Sequence, residues 1–136
     1  KAEKGFEVVA REDTNGTFDS ALEAAKKILN EQPDITAIMC GNDQMAVAAK
    51  TALNLAGNDQ TVVYSIDGSP DIKKELKKAD GQIAGTVAQS PVNIGKKAVD
   101  IALDILEGKD FEKETSVDVF MINKENVEMY GADGWQ

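Results

Sequence analysis

Three short runs dominate this chain: ITAIMC at 35–40, TVVYSI at 61–66 and IAGTV at 83–87. Each is apolar or β-rich almost from end to end, and each is too short for a helix. A polar turn and then a helical pattern follow every one of them. Strands without polar alternation belong in a parallel sheet, because the crossover connections lay helices over its faces. The expected fold class is therefore α/β, a doubly wound parallel sheet.

The remaining elements fit between these runs. FEVVA at 6–10 reads as a short first strand, followed by a polar loop from Asp13 to Thr17. A helix is predicted from Phe18 to about residue 30, with Phe18, Leu22, Ala25 and Leu29 on one face. Pro33-Asp34 marks a turn. A second helix opens at Gly41-Asn42-Asp43, turns Met45, Ala49, Ala52 and Leu53 inward, and closes at Gly57. A third, at 69–78, starts on Ser69 as N-cap with Pro70 in the first position. Its Lys73, Lys74, Lys77 and Lys78 read as a solvated face. A long helix at 92–107 stops at Gly108, a last strand is expected at 117–122, and a helical turn at 124–129 precedes a Gly-rich end with Trp135. Lys1 to Gly5 resembles the end of a helix, as in a mature or truncated product.

Composition narrows the chemistry. The 136 residues suffice for one domain with a core, and the net charge of −9 with no basic stripe disfavours a nucleic-acid partner. With no His and a single Cys, Cys40, the chain cannot build a Ser-His-Asp or Cys-His nucleophile, nor a His or paired-Cys zinc site. No stretch approaches the ~20 apolar residues of a membrane span. No catalytic group, metal or cofactor is expected.

In open α/β sheets, ligands bind outside the carboxyl ends of the strands. Reading only those positions gives Asp13 to Gly16 after the first strand, Asn42 and Asp43 after the second, Asp67 after the third and Gln89 after the fourth. Carboxylates and amides can hydrogen-bond hydroxyl groups in pairs, so this is a candidate polyhydroxyl-binding rim. Each member also has a plainer role open to it. Asn42 or Asp43 can cap the next helix, but not both; Asp67 can stabilise a turn with Gly68; Gln89 can sit in solvent before Pro91; Asn15 can simply form an Asn-Gly turn. Asp67 is the most pointed case, because Ser69 already supplies a cap and leaves it without a local task.

Three stretches, IMCGNDQMAVAAKTAL, VVYSIDGSPDIKKEL and IAGTVAQSPVNIGKKAVDIALDILEG, together with DVFMINKENV, resemble the type I periplasmic sugar-binding proteins of the ribose-binding cluster. The likeness covers essentially the whole chain and corresponds to the C-terminal half of such a protein, a superfamily shared with lac-repressor-type effector domains. It implies that residues 1–87 form the second lobe without its first strand and helix. Residues 88–90 would then be a hinge crossing and 91–116 a segment packed on the first lobe. Residues 117–136 would bring the last strand back through the first lobe to the hinge and second lobe, with the C-terminal tail. By the same resemblance Asn42, Asp67 and Gln89 match positions that bind sugar hydroxyls.

Ribose-type members carry an aromatic residue followed by Asp-Arg in the first loop. Here Phe18-Asp19 takes that place if the loop is shifted, whereas alignment back from Pro33 puts Gly16 there; neither is followed by the basic residue. Asn15 and Phe18 complete the candidate ligand set. A pentose, polyol or sugar-like signal molecule is thus as well implied as ribose. The implied function is the solute-binding component of an ABC-type importer, periplasmic or extracellular and membrane-anchored, working with a membrane permease and a first lobe. The alternative is the effector-binding half of a lac-repressor-type regulator, which a helix-turn-helix upstream would identify, as an export signal or lipobox would identify the importer.

Overall fold

The computed structural model describes residues 5–135, and in it the three apolar runs become neighbouring strands. β1 (Ala37–Met39), β2 (Val62–Asp67) and β3 (Ile83–Ala88) are parallel, and β4 (Phe120–Asn123) completes the order β1-β2-β3-β4 antiparallel to β3. Four helices alternate with them: α1 (Phe18–Glu31), α2 (Asp43–Ala56), α3 (Pro70–Leu76) and α4 (Pro91–Leu106). The class is the expected α/β fold with a mostly parallel sheet.

Helix stripes and strand faces build one core. α1 contributes Ala25 and Leu29, α2 contributes Ala46, Ala49, Ala52 and Leu53, and α3 contributes Ile72 and Leu76. They meet Val63, Ile83, Ala88 and Ile122 from the strands. The alanines of α2 let neighbouring backbones approach, while Leu53, fully buried, supplies the bulk. α2 stops where predicted: Gly57 takes φ 67° and its N–H meets the Asn54 and Leu53 carbonyls.

Four expectations need correction. Residues 6–10 are not a strand; the segment finds neither a ladder partner nor a covering layer, and Phe6, Val8 and Val9 are 50–76% exposed. An apolar pattern supplies a face, but a strand also requires an edge to pair with. The last strand is shorter and later than 117–122, because only Phe120 to Asn123 lie opposite β3. The helical turn expected at 124–129 is a 3-10 turn at Val127–Tyr130. The lysine face of α3 is not uniformly solvated: Lys73 is fully buried, donating its Nζ to the Gly134 carbonyl, and Lys77 pairs with Glu128 at 2.9 Å. The C-terminal segment lies over that side of α3, which no local pattern announces. Of the helix end expected at Lys1 to Gly5, all but Gly5 lies outside the described residues.

One side of the sheet and one helix stand open. By register Met39, Tyr64, Ile66, Val87 and Met121 share the face opposite Val63 and Ser65. Met39 is 78% exposed and Ile66 and Met121 are about 40% exposed. No residue of α4 is buried, although Val92, Ile94, Val99, Leu103 and Ile105 are apolar.

Candidate functional site

The carboxyl ends of β1, β2 and β3 carry the three residues singled out from sequence. Asn42 follows β1 and is the N-cap of α2: its Oδ1 accepts from the Met45 N–H at 2.8 Å. Its Nδ2 donates to the Gly16 carbonyl at 3.0 Å, tying the loop before α1 to the sheet edge. Asp67 ends β2, and Gln89 follows β3. The two touch directly, Gln89 Nε2 donating to Asp67 Oδ1 at 3.1 Å, while the Gln89 backbone N–H donates to the Asp67 carbonyl at 3.1 Å. Both side chains remain partly accessible. Asn15 is exposed with φ 50°, its N–H held by Asp13 Oδ1 in an Asn-Gly turn, and Phe18 is the half-buried first residue of α1. The structure joins neither Asn15 nor Phe18 to Asp67 by a hydrogen bond or ring contact.

Local backbone explains why Asp67 precedes a glycine. Asp67 has φ 131° and Gly68 φ 78°, so two successive residues leave the ordinary β and helical regions. A Cβ on Gly68 would lie 2.5 Å from the Ala88 Cβ, so no larger residue fits. Ser69 then caps α3, its Oγ accepting from the Ile72 N–H at 3.4 Å. Ser69 caps α3 as expected, and the Asp67 side chain takes no part in that cap, accepting instead from Gln89.

Asp43 is the residue that sequence reasoning undervalued, since Asn42 takes the cap. Asp43 is 3% exposed and its carboxylate serves three partners. Oδ1 accepts from Ser65 Oγ at 2.5 Å and Thr86 Oγ1 at 2.7 Å, and Oδ2 accepts from the Ser69 N–H at 2.6 Å. Two cap-type residues in tandem were the available signal, because only one can cap and the other must find different work. Lys50 was missed as well. It is 4% exposed on α2 and pairs with Glu75 at 2.7 Å and Asp80 at 2.6 Å.

Electrostatics separates these groups. Burial raises the Asp67 carboxyl above its ordinary value and the Asp43 charge adds to this, while hydrogen bonds from the Asp43 backbone and the Gln89 amide partly offset it. Burial also works against ionised Glu75 and Asp80, but bonds from Lys50 outweigh it, with Lys78 assisting, and both lie below the usual carboxylate range. Cys40 is a buried thiol pushed up to about 11 by desolvation, hence unreactive. Among the described residues no cluster of three potential metal ligands exists. The rim offers acceptors and an amide beside a helix N-terminus, and no paired nucleophile and base. Such groups are chemically able to accept hydrogen bonds from hydroxyls and to donate to them.

Residues 1–110 match the periplasmic binding protein domain. The chain belongs to the periplasmic binding protein family. It is 34% identical over 120 residues to the ribose import binding protein of Salmonella typhimurium, covering 88% of this chain and 40% of that protein. The ribose import binding protein of Bacillus subtilis is 36% identical over 115 residues, again with only 37% of its length spanned. Among solved structures, a periplasmic solute-binding protein from Actinobacillus succinogenes with bound D-allose superposes with a TM-score of 0.85 at 28% identity, over 91% of this chain and 44% of that one. A solute-binding protein from Bacillus halodurans with bound myo-inositol gives 0.84 at 29% identity, over 95% and 44%. The family is one of binding proteins rather than enzymes. The chain thus spans about two fifths of the relatives it matches.

Proposed function

We propose that this chain supplies the second lobe and hinge of the solute-binding component of an ABC-type sugar importer. Its rim of Asn42, Asp67 and Gln89 hydrogen-bonds the hydroxyls of a pentose, hexose or polyol in a cleft closed by a first lobe. The observation that carries this reading is the direct Asp67–Gln89 contact at the carboxyl edge of the parallel sheet. Relatives named for ribose import, and neighbours holding D-allose and myo-inositol, support the ligand class. In this reading residues 1–87 belong to the second lobe, 88–90 are the hinge, and 91–116 pack on the first lobe. The final strand then returns through the first lobe to the second. That no residue of α4 is buried within this chain supports such a covering. The partner is a membrane permease, the compartment periplasmic or extracellular.

Calorimetric titration of the complete two-lobe protein with D-ribose, D-allose and myo-inositol is the test. At least one should bind in the micromolar range, and Asp67→Ala should weaken it by about 2–4 kcal/mol, or roughly 30- to 1000-fold, because hydroxyls in a closed cleft lose their acceptor. Affinity should also fall as pH drops through the raised Asp67 value, since a protonated carboxyl accepts fewer bonds. The 136 residues alone hold only part of the contacts, so their own affinity should be no better than about millimolar. Unaltered binding by the Asp67 variant would reject its role.

A further inference from the structure

We propose that Asp43 is a positioning residue of the rim: from beneath the sheet edge its carboxylate, with Thr86 as relay, fixes the Asp67-Gly68 turn in ligand-ready form. The proposal rests on the reading of Asp67 as a ligand acceptor and names what holds that acceptor in place.

The turn needs an external hold. Asp67 at φ 131° is strained for a residue with a Cβ, and strain of that kind persists only where the surroundings over-determine it. Bonds reach the chain on both sides of Asp67. Before it, Ser65 Oγ donates to Asp43 Oδ1 at 2.5 Å. After it, the Gly68 N–H donates to Thr86 Oγ1 at 3.2 Å, and that hydroxyl in turn donates to Asp43 Oδ1 at 2.7 Å. One residue further, the Ser69 N–H donates to Asp43 Oδ2 at 2.6 Å. One carboxylate therefore gathers β2, β3 and the turn, and each connecting group is buried or partly buried.

The chemistry demands an anion with two oxygens. The Thr86 hydroxyl accepts from the Gly68 N–H while donating its own O–H to Asp43, and the Ser65 and Thr86 hydroxyls converge on a single oxygen. An amide at position 43 that kept its oxygen on the two hydroxyls would turn an N–H toward the Ser69 N–H, donor against donor, and the reverse orientation would take the acceptor away from both hydroxyls. Asp43 itself has no oxygen idle for a ligand. It acts on the ligand through Asp67 alone.

Two measurements on the complete protein decide this. Amide hydrogen exchange without ligand reads the turn directly, and sugar titration reads its consequence. Thr86→Val removes the relay: the Gly68 amide should exchange at least about tenfold faster, and sugar affinity should fall at least about tenfold. Thr86→Ser restores the hydroxyl and should stay within about threefold of the parent in both. Asp43→Asn, a second route should the valine variant fold poorly, should accelerate exchange at Ser69. Lys50→Met, which breaks the separate network on α2, should lower stability without moving either readout, excluding a general loosening. Parental exchange at Gly68 in Thr86→Val, or parental affinity, would overturn the proposal. If the parent binds no sugar while the exchange pattern appears as stated, the functional reading fails and the positioning role stands.

Discussion

α2 and α4 are both long, both amphipathic in sequence, and both opened by a polar cap after a strand, yet they meet opposite fates. α2 buries seven residues, including Asp43 and Lys50 at its polar positions. α4 buries none, although its sequence is at least as apolar. The difference teaches that a helical stripe states only that a face requires cover. Whether the cover comes from within the same 136 residues is a matter of connectivity. α2 crosses from β1 to β2 and is laid on the sheet by that crossover, whereas α4 leaves β3 and is followed by the irregular 107–119 stretch before β4.

The contrast can be broken by mutation, and the largest effect belongs to the cores. Leu53→Ala in α2 should destabilise the chain by about 2–5 kcal/mol, because it opens a cavity at a fully buried site. Leu103→Ala in α4, half-exposed, should change stability by less than about 0.5 kcal/mol. Urea unfolding of both variants checks the pair. Equal losses would show that α4 is as well packed in solution as α2.

A middle-sized effect sharpens the polar side of the comparison. Lys50→Met strands Glu75 with Lys78 as its remaining cation and should cost about 1–3 kcal/mol, discounted because Asp80 is open to solvent. Lys97→Met on α4 should cost almost nothing. The sign of the pH dependence follows from direction. Glu75 and Asp80 titrate below their ordinary values, so their contribution is present above the unfolded-state values near pH 4 and is lost as pH falls through the folded ones. Lys50 is raised, the bonds to Asp80 and Glu75 outweighing burial, so its share persists until pH rises past its folded value. The Lys50 variant should therefore show a flatter acid limb in denaturation midpoint against pH. An acid limb identical to the parent's would place the acid sensitivity elsewhere.

The smallest effect compares caps. Ser69 and Ser90 each cap a Pro-started helix, accepting from Ile72 and Asn93. Ser69→Ala should lower global stability by about 1 kcal/mol while leaving sugar affinity nearly unchanged, since the Ser69 backbone N–H that Asp43 holds survives the substitution. Ser90→Ala should reduce helical circular dichroism with little shift in the unfolding midpoint, because α4 is not locked to the core. A midpoint shift as large as that of Ser69→Ala would couple α4 to the rest.

Sequence by itself determined what local chemistry can specify. Apolar runs bounded by turn residues gave β1 to β3, Gly57 gave the end of α2, and Ser69-Pro70 gave the start of α3, because caps, glycine conformations and apolar periodicity act within a few residues. Placement of Asn42, Asp67 and Gln89 at one sheet edge was legible for the same reason, since a strand's carboxyl end is known once its strand is known. Tertiary structure alone decided the rest. Residues 6–10 form no strand for want of a partner. Lys73 is buried because a segment 61 residues further along lies over it. Asp43 serves Ser65, Ser69 and Thr86, groups 22 to 43 residues away. A buried charge is tolerated only where its partners converge, and that convergence exists only after the sheet has brought its strand ends together.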